Sequence, residues 1–202
     1  MSRKLKSFGL ALVAVFALTA VGAGAASAAE FHSTSAGSTK ISATQTTTHL
    51  FTSTAGEITC EKATFTGNQT TATTTSVEIA PVYTGCHMII FGSTIAVSIA
   101  TNECKYRLNA SGTADIVCPV GKAFTVTGAG CTLTVGAQTG LKAVTYTNSG
   151  SDIAINTNLS GIKYNHSGFT CGTGSGTNGT YKGTTTAAGT NTSGVAVTIS
   201  YS

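Results

Sequence analysis

The sequence predicts an all-β fold: an antiparallel β-sandwich of the Ig-like or Greek-key type, stapled by disulfides and preceded by a helical signal peptide. Three observations predict it, namely a threonine-rich composition, repeated alternation of apolar and polar residues, and six cysteines beyond the N-terminal segment. Threonine makes up about a fifth of the 202 residues, well above its usual share. Threonine and valine are β-branched and suit a pleated strand, whereas the usual helix formers Leu, Glu, Lys and Arg are scarce.

Met1–Ala28 has the three parts of a secretory signal peptide. Three basic residues lie within the first six positions, an uncharged apolar run covers 8–21, and Ala26–Ala28 is a small-residue cleavage site. A membrane anchor is the alternative, but a spanning helix needs about 20 apolar residues and this run is shorter. We therefore expect cleavage after Ala28, no membrane insertion of the remaining chain, and a secreted protein of the extracellular space or cell envelope.

The charge of the exported part is nearly balanced. The whole chain has 11 basic and 7 acidic residues. Three of the basic ones, Arg3, Lys4 and Lys6, belong to the signal peptide, so eight remain against seven acidic residues. A near-neutral domain lacks the basic surface that nucleic acids or anionic lipids require, and we expect neither as a partner.

Alternation of apolar and polar residues indicates half-buried strands from Phe124 onward. The apolar members of these runs are Phe124 and Val126, Leu133 and Val135, Ile153 and Ile155, and a terminal strand with Val195, Val197, Ile199 and Tyr201. Clusters of Gly, Asn and Ser at 66–68, 109–112, 127–130 and 148–151 separate the runs and predict turns. Short strands between such turns are typical of an antiparallel sandwich.

The chain beyond the signal peptide is predicted to form one domain. Residues 29–48 are polar and low in complexity, and we expect a flexible lead-in with one edge strand. Residues 49–202 are expected to form a single β-rich secreted domain. Within it, 168–194 is so rich in Gly, Thr, Asn and Ser that its composition predicts long loops.

All six cysteines lie in the exported part, and an even number in such a chain indicates disulfides. Six cysteines allow fifteen pairings, but hairpin geometry favours one of them. The turns at 109–112 and 148–151 lie midway between successive cysteines, so the flanking strands would bring those cysteines opposite each other. The predicted pairs are Cys60–Cys86, Cys104–Cys118 and Cys131–Cys171. Each would stabilise the fold by about 3 to 4 kcal/mol through loop entropy.

Reactive roles for the cysteines and the glycines have little support. No two cysteines are spaced C-x-x-C, as a redox or zinc motif would require. The adjacent pair Cys86-His87 could act as a catalytic dyad only with a free thiol. The run Gly174–Gly179 matches G-x-G-x-x-G, but no helix is predicted after it to hold a pyrophosphate. We expect no cofactor.

Catalytic constellations are equally hard to assemble. A Ser/His/Asp triad is defined by geometry rather than by spacing, so a hydrolase with a hidden site stays open as an alternative. The sequence contains no cluster of carboxylates of the kind that forms a calcium-binding loop, and we predict no metal site. The residues available to such sites are His32, His49, His87 and His166 with Asp115, Asp152, Glu57, Glu61, Glu78 and Glu103.

Threonines at alternate positions would project to one face of a strand. The pairs include Thr64/Thr66, Thr125/Thr127, Thr132/Thr134 and Thr145/Thr147. An in-register array of this kind could adsorb to ice or to a crystalline polymer, but the intervals between the pairs are irregular and indicate no solenoid. Threonine is also an ordinary residue of solvent-facing strands, so surface adsorption is a second alternative.

Five segments of the chain resemble a pattern found in uncharacterised exported proteins of high-GC Gram-positive bacteria. These segments are Gly56–Cys60, Ala63–Gly67, Pro81–Cys86, Glu103–Tyr106 and Cys118-Pro119. The resemblance implies a secreted, disulfide-bonded, β-rich protein. That family has no assigned activity, so the resemblance implies no catalytic or binding residues.

The sequence therefore predicts a secreted or cell-envelope protein that is not an enzyme and has a binding or structural role. The prediction depends on two observations, the lack of a recognisable reactive constellation and the heavy covalent cross-linking. No specific partner follows from the residues, although the cell wall or another envelope component fits the predicted location.

Overall fold

The structure is a computed structural model in which residues 28–90, 92–128 and 130–202 are described. The predicted signal peptide lies outside these residues apart from Ala28. Every regular element in the described part is a β-strand, and all the strand pairs are antiparallel. The predicted all-β, antiparallel, disulfide-stapled fold is thus confirmed. No helix of a length and hydrophobicity that could cross a bilayer occurs in the described ranges.

Eighteen strands are found among the described residues. In chain order they are Phe31–Ser33 (β1), Thr39–Gln45 (β2), Leu50–Ser53 (β3), Gly56–Gln69 (β4), Thr73–Thr74 (β5), Ser76–Ile90 (β6), Ser93–Ala96 (β7), Ser98–Ala100 (β8), Lys105–Asn109 (β9), Thr113–Val117 (β10), Phe124–Gly128 (β11), Cys131–Val135 (β12), Gln138–Lys142 (β13), Val144–Ser149 (β14), Asp152–Gly168 (β15), Gly174–Asn191 (β16), Ala196–Val197 (β17) and Ile199–Tyr201 (β18).

Two long hairpins form the frame of the molecule. One is β4 with β6, of 14 and 15 residues, and the other is β15 with β16, of 17 and 18 residues. On one side, β2 pairs with β4 and β16 along one half of these strands, and β3 pairs with the same two strands along the other half. The two hairpins are therefore joined into one continuous sheet.

The sheet also closes on its other side, by two routes. In one half, β6 pairs with β9, β9 with β10, and β10 with β13, while β14 pairs with β15. Only Ala143, which has a positive φ of 77°, separates β13 from β14. In the other half, β7 pairs with β6, and β8 follows β7 directly in the chain. β8 pairs with β11, β11 with β12, and β12 with β15. The strands thus enclose a single interior.

The enclosed interior holds the apolar core. Met88, Leu133, Leu159 and Cys104 are less than 2% exposed. A separate small sheet is formed by β18, β1 and β5. The ring of Phe31 on β1 packs edge-on against Tyr146, with 4.8 Å between the ring centroids. The predicted apolar positions of β11, β12 and β15 are buried as expected.

The prediction of a flexible lead-in over 29–48 differs from the structure. This segment contains β1 and β2, and β2 lies between β4 and β16 within the sheet. Thr39, Ile41 and Ala43 are buried at alternate positions, at 0%, 8% and 2% exposure. The hydroxyl of Thr39 is satisfied by that of Ser33 at 2.6 Å, so a threonine can occupy an inward position that a hydropathy pattern marks as polar.

The prediction of long loops over 168–194 also differs, because β16 covers most of this segment and is the longest strand of the described chain. Its glycines face bulky neighbours across the sheet. A β-carbon at Gly176 would collide with the Tyr164 ring, and one at Gly179 would lie 2.8 Å from the carbonyl oxygen of Ile162. These glycines permit close approach between strands, although the composition of the segment resembles that of a loop.

The C-terminus forms two short strands rather than the single predicted one. The chain changes partner at Thr198, since β17 pairs with β16 and β18 pairs with β1. Val195 is therefore 59% exposed, whereas Ile199 is 2% exposed.

The three disulfides join Cys60 to Cys86, Cys104 to Cys118 and Cys131 to Cys171. These are the pairs that the hairpin midpoints predict. Cys60 and Cys86 lie directly opposite each other on β4 and β6, and the turns between β9 and β10 and between β14 and β15 fall where the sequence places them.

Candidate functional site

An extended polar network in the interior is built from side chains of four separate segments. His49 precedes β3, Tyr83 lies on β6, Tyr106 on β9 and Tyr181 on β16. Nδ1 of His49 lies 2.6 Å from the Tyr181 hydroxyl, which lies 3.0 Å from that of Tyr83. The Tyr83 hydroxyl lies 3.0 Å from that of Tyr106. The network therefore crosses the interior between the two long hairpins.

Hydrogen-bonding rules give this network a direction. Nε2 of His49 lies 3.4 Å from the carbonyl oxygen of Thr184 and 3.0 Å from Oγ1 of Thr185. A carbonyl can only accept, so Nε2 carries the proton of the neutral ring and Nδ1 accepts from Tyr181. Each tyrosine has a single O–H, so Tyr83 must then donate to Tyr181, and Tyr106 to Tyr83.

Burial shifts the titration of every ring in the network. Desolvation lowers the pKa of His49, with a smaller opposing effect from the Thr184 carbonyl. Desolvation raises the pKa of Tyr106 to about 12, and it raises the pKa of Tyr83 and Tyr181 well above the ordinary value. Because burial favours the neutral forms, all four groups are uncharged at neutral pH.

An internal cavity of about 70 Å³ lies beside the network, lined otherwise by apolar side chains such as Phe124 and Leu159. Such a space is well below that of a drug-sized pocket. The phenol and imidazole groups hydrogen-bond to one another, so they are not available to a ligand. The network therefore contributes to the stability of the fold.

The outer surface offers a different arrangement, in which short side chains lie in register across neighbouring strands. One row runs from β14 to β6, and the next row lies two residues away, about 6.8 Å along the strands. Together we call these two rows the hydroxyl face. The rows are Thr147, Ala154, Thr186, Thr44, Thr64 and Val82, and then Ala188, Ser42, Thr66 and Ala80.

The hydroxyl groups of this face are free. Within the described chain, the side-chain oxygens of Ser42, Thr44, Thr64, Thr66 and Thr186 form no hydrogen bond with other protein groups. They project from strands that are fixed by pairing on both sides, so they are ordered in position and available to a ligand.

A second outer surface, which we call the neutral face, also carries paired threonines. Thr125 lies opposite Thr134, and Thr127 lies opposite Thr132. Two of these hydroxyls are already bonded within the protein, since Oγ of Ser98 lies 2.8 Å from Oγ1 of Thr127. Asn102 likewise donates to Oγ1 of Thr125 at 3.2 Å. The neutral face thus offers fewer free groups.

A third row borders the hydroxyl face and contains charged residues. Across it lies an open groove of about 620 Å³, whose lining includes Lys40, Ser42, Thr66, Asn68, Glu78, Lys105 and Thr190. A β-carbon at Gly67 would collide with the carbonyl oxygen of Glu78, so β4 and β6 can approach closely here. The row itself pairs Thr190, Lys40, Asn68, Glu78, Arg107 and Asp115.

The predicted candidates for catalysis and metal binding lie in scattered environments. His32 contacts the Ser202 hydroxyl, His87 lies on β6 opposite Thr59, and Nδ1 of His166 is buried without a partner in the described chain. Asp115 accepts from the backbone of Gly140. No group of three His, Cys, Asp or Glu residues that could hold a metal occurs within the described ranges.

Two other acidic candidates, Asp152 and Glu78, also have ordinary surroundings. Asp152 accepts from the Ser151 hydroxyl, and Glu78 forms ion pairs with Arg107 and Lys105. The glycine motif at 174–179 lies within β16, where no helix N-terminus is available to a phosphate.

Sequence reasoning missed Lys40 and Ser42 as surface residues of a site, because they fall in the segment predicted to be a flexible lead-in. The signal that could have identified them is the alternation of Lys40, Ser42 and Thr44 with Ile41 and Ala43. The tyrosine network had no comparable signal, since its members are separated by long stretches of chain.

Comparison of the chain with family models, with curated proteins and with solved structures finds no match. The suspected relation to exported proteins of Gram-positive bacteria therefore stays a prediction.

Proposed function

We propose that this protein is a non-enzymatic, exported binding domain of the cell envelope, and that its hydroxyl face adsorbs an extended, hydrated polymer. The observation that carries the proposal is the in-register set of free hydroxyls on β16, β2 and β4. Strand spacing of about 4.8 Å and a residue repeat of about 6.8 Å give these groups a regular lattice. Repeating hydroxyls or ring oxygens of a glycan can match such a lattice with many weak hydrogen bonds.

The curvature of the surface favours a flexible chain over a crystal plane. Adjacent strands are rotated by roughly 20 to 25°, so a row of six strands twists considerably, and the groove beside Thr66 is concave. An ice or crystal surface needs a flat array, whereas a polymer chain can follow the twist. An ice-recrystallisation assay serves as the comparison and is expected to show no effect.

The exported location is supported by the three disulfides, which persist in oxidising compartments. The scattered histidines and carboxylates give no support to the alternative of a hydrolase. Incubation with polymer should therefore leave its length unchanged, and shortening would favour the hydrolase.

Co-sedimentation of the purified protein with insoluble cell-wall material tests the proposal. Thr44→Val/Thr64→Val keeps the shape of one cross-strand pair but removes its hydroxyls. We expect binding to weaken about fivefold or more, because each lost hydrogen bond is worth about 0.5–1.5 kcal/mol.

The control is Thr125→Val/Thr134→Val, which changes a cross-strand threonine pair on the neutral face, where the Thr125 hydroxyl is already bonded to Asn102. It should bind like the unchanged protein. Equal losses in both variants, or a loss in neither, would show that the hydroxyl face is not the binding surface.

A further inference from the structure

The groove beside the hydroxyl face is bordered by more positive than negative charge. Lys40 and Lys105 line it together with a single carboxylate, Glu78. Arg107 lies beyond Glu78, between it and Asp115, so three cations stand against two carboxylates. The exported chain is close to neutral as a whole, so this excess is a local feature.

Glu78 does not cancel both lysines. Its Oε1 accepts from Nε of Arg107 at 3.2 Å and from Nη2 at 2.7 Å, so Arg107 largely neutralises it. Nζ of Lys105 lies 3.8 Å from Oε2 of Glu78, and its side chain is 48% exposed. A long, exposed ion pair of this kind contributes little, so the Lys105 ammonium can turn to an incoming anion without a large penalty.

Lys40 has no ion-pair partner within the described part of the chain. It lies on β2, whereas Lys105 lies on β9, and β4 and β6 separate them. Three strand spacings place the two side chains about 15 Å apart. A single small anion cannot contact both, but two charged groups of one extended molecule can.

Polar, uncharged groups fill the space between the two lysines. The hydroxyls of Ser42, Thr66 and Thr190 and the amide of Asn68 line the groove. They can donate to and accept from the uncharged parts of a polymer, such as sugar or polyol hydroxyls. The groove therefore combines spaced cations with a hydroxyl-binding floor.

We infer that this groove binds an anionic extended polymer, with carboxylate or phosphodiester groups seated at Lys40 and Lys105. The inference rests on the proposed function and specifies its ligand class. Carboxylate and phosphodiester groups share the chemistry that an ammonium recognises, and the probes described next distinguish them.

Titration calorimetry with three soluble polymers tests the inference: polygalacturonate, poly(glycerol phosphate) and neutral dextran. We expect at least one of the two anionic polymers to bind at low ionic strength, and the binding to weaken as salt is added. Lys40→Gln/Lys105→Gln should lower that affinity about tenfold, as expected for two exposed charge contacts. The polymer that binds more tightly identifies the anionic group.

Lys142→Gln/Lys163→Gln is the matched control, because it removes two exposed lysines that do not line the groove. It should change the affinity less than about twofold. An equal loss in both double variants would show that net charge, rather than the groove, attracts the polymer, and would overturn the inference.

Two further outcomes separate the inference from the proposed function. Binding of dextran as tightly as of the anionic polymers, unaffected by Lys40→Gln/Lys105→Gln, would overturn the anionic ligand while leaving polymer adsorption intact. Failure to bind any of the three polymers, together with failure to co-sediment with cell-wall material, would overturn the proposed function itself.

Discussion

The inward and outward sides of β16 carry the same kinds of small residue in two different environments, a packed interior and a surface open to solvent. On the inward side, Gly183 leaves room for the His49 ring and the Thr185 hydroxyl bonds to it. On the outward side, Thr186 and Thr190 present their side chains to solvent beside β2. A threonine-rich composition therefore does not mean a uniform surface. Inward changes should cost stability, and outward changes should cost binding.

The largest effect on the interior is expected from its cross-links. Cys131 and Cys171 are 40 residues apart, and Cys104 and Cys118 are 14 apart. Loop entropy predicts losses of about 4 and about 3 kcal/mol when these disulfides are replaced by paired alanines. Urea denaturation of the two variants measures the losses, and a reversed order would contradict the loop-entropy account.

A smaller but more local effect is expected from Gly183→Ala. A β-carbon there would lie 2.6 Å from Cγ and Cδ2 of His49, so the ring must shift and strain the network. Overpacking of this kind costs about 1–3 kcal/mol, which the midpoint of urea denaturation would report.

Gly136→Ala is the control for Gly183→Ala, because nothing lies within 4 Å of the added β-carbon. It should leave the midpoint almost unchanged. If both substitutions left the midpoint unchanged, the His49 ring could not be packed tightly against Gly183 of β16.

Gly183 also shows why part of the fold escaped sequence reasoning. Patterns of period two located β11, β12 and β15, because their inward residues are apolar and their outward residues are polar. In β2 and β16 the inward positions include Thr39, Thr185 and Gly183, which hydropathy cannot distinguish from surface residues. Their burial depends on partners from distant parts of the chain, such as Ser33 and His49.

The cross-links could be predicted, whereas the candidate site could not. The turns after β9 and after β14 each lie midway between two cysteines, so local geometry was sufficient to place Cys104 opposite Cys118. The hydroxyl face brings Thr44 beside both Thr64 and Thr186, and that register depends on how two separate hairpins meet. No local pattern contains this information.

Acidification should lower the free energy of unfolding gradually, through the titration of His49. Burial lowers the pKa of His49, so the unfolded chain takes up a proton below about pH 6.5 while the folded chain resists it. The free energy of unfolding should therefore be constant just above that pH and fall below it, until the lowered pKa of the folded state is passed. One proton limits the slope to about 1.4 kcal/mol per pH unit.

His49→Gln isolates this contribution, because glutamine can bond to Tyr181 but cannot titrate. Its stability should lack the fall between neutral pH and pH 5.5 that is attributed to His49. Both proteins should lose stability as the pH rises above about 10, because Tyr83, Tyr106 and Tyr181 have raised pKa values. An unchanged acid limb in the variant would assign the effect to other groups.

The smallest effect on stability is expected on the outward side. Thr44→Ala/Thr64→Ala removes two side chains that face each other across β2 and β4 and bond to no other protein group in the described chain. Surface substitutions of this type usually change stability by no more than about 0.5 kcal/mol, so thermal denaturation should be nearly unaffected. Adsorption to cell-wall material should nevertheless weaken as in the valine variant. A large loss of stability would mean that these threonines support the sheet, and the contrast between the two sides of the strands would then fail.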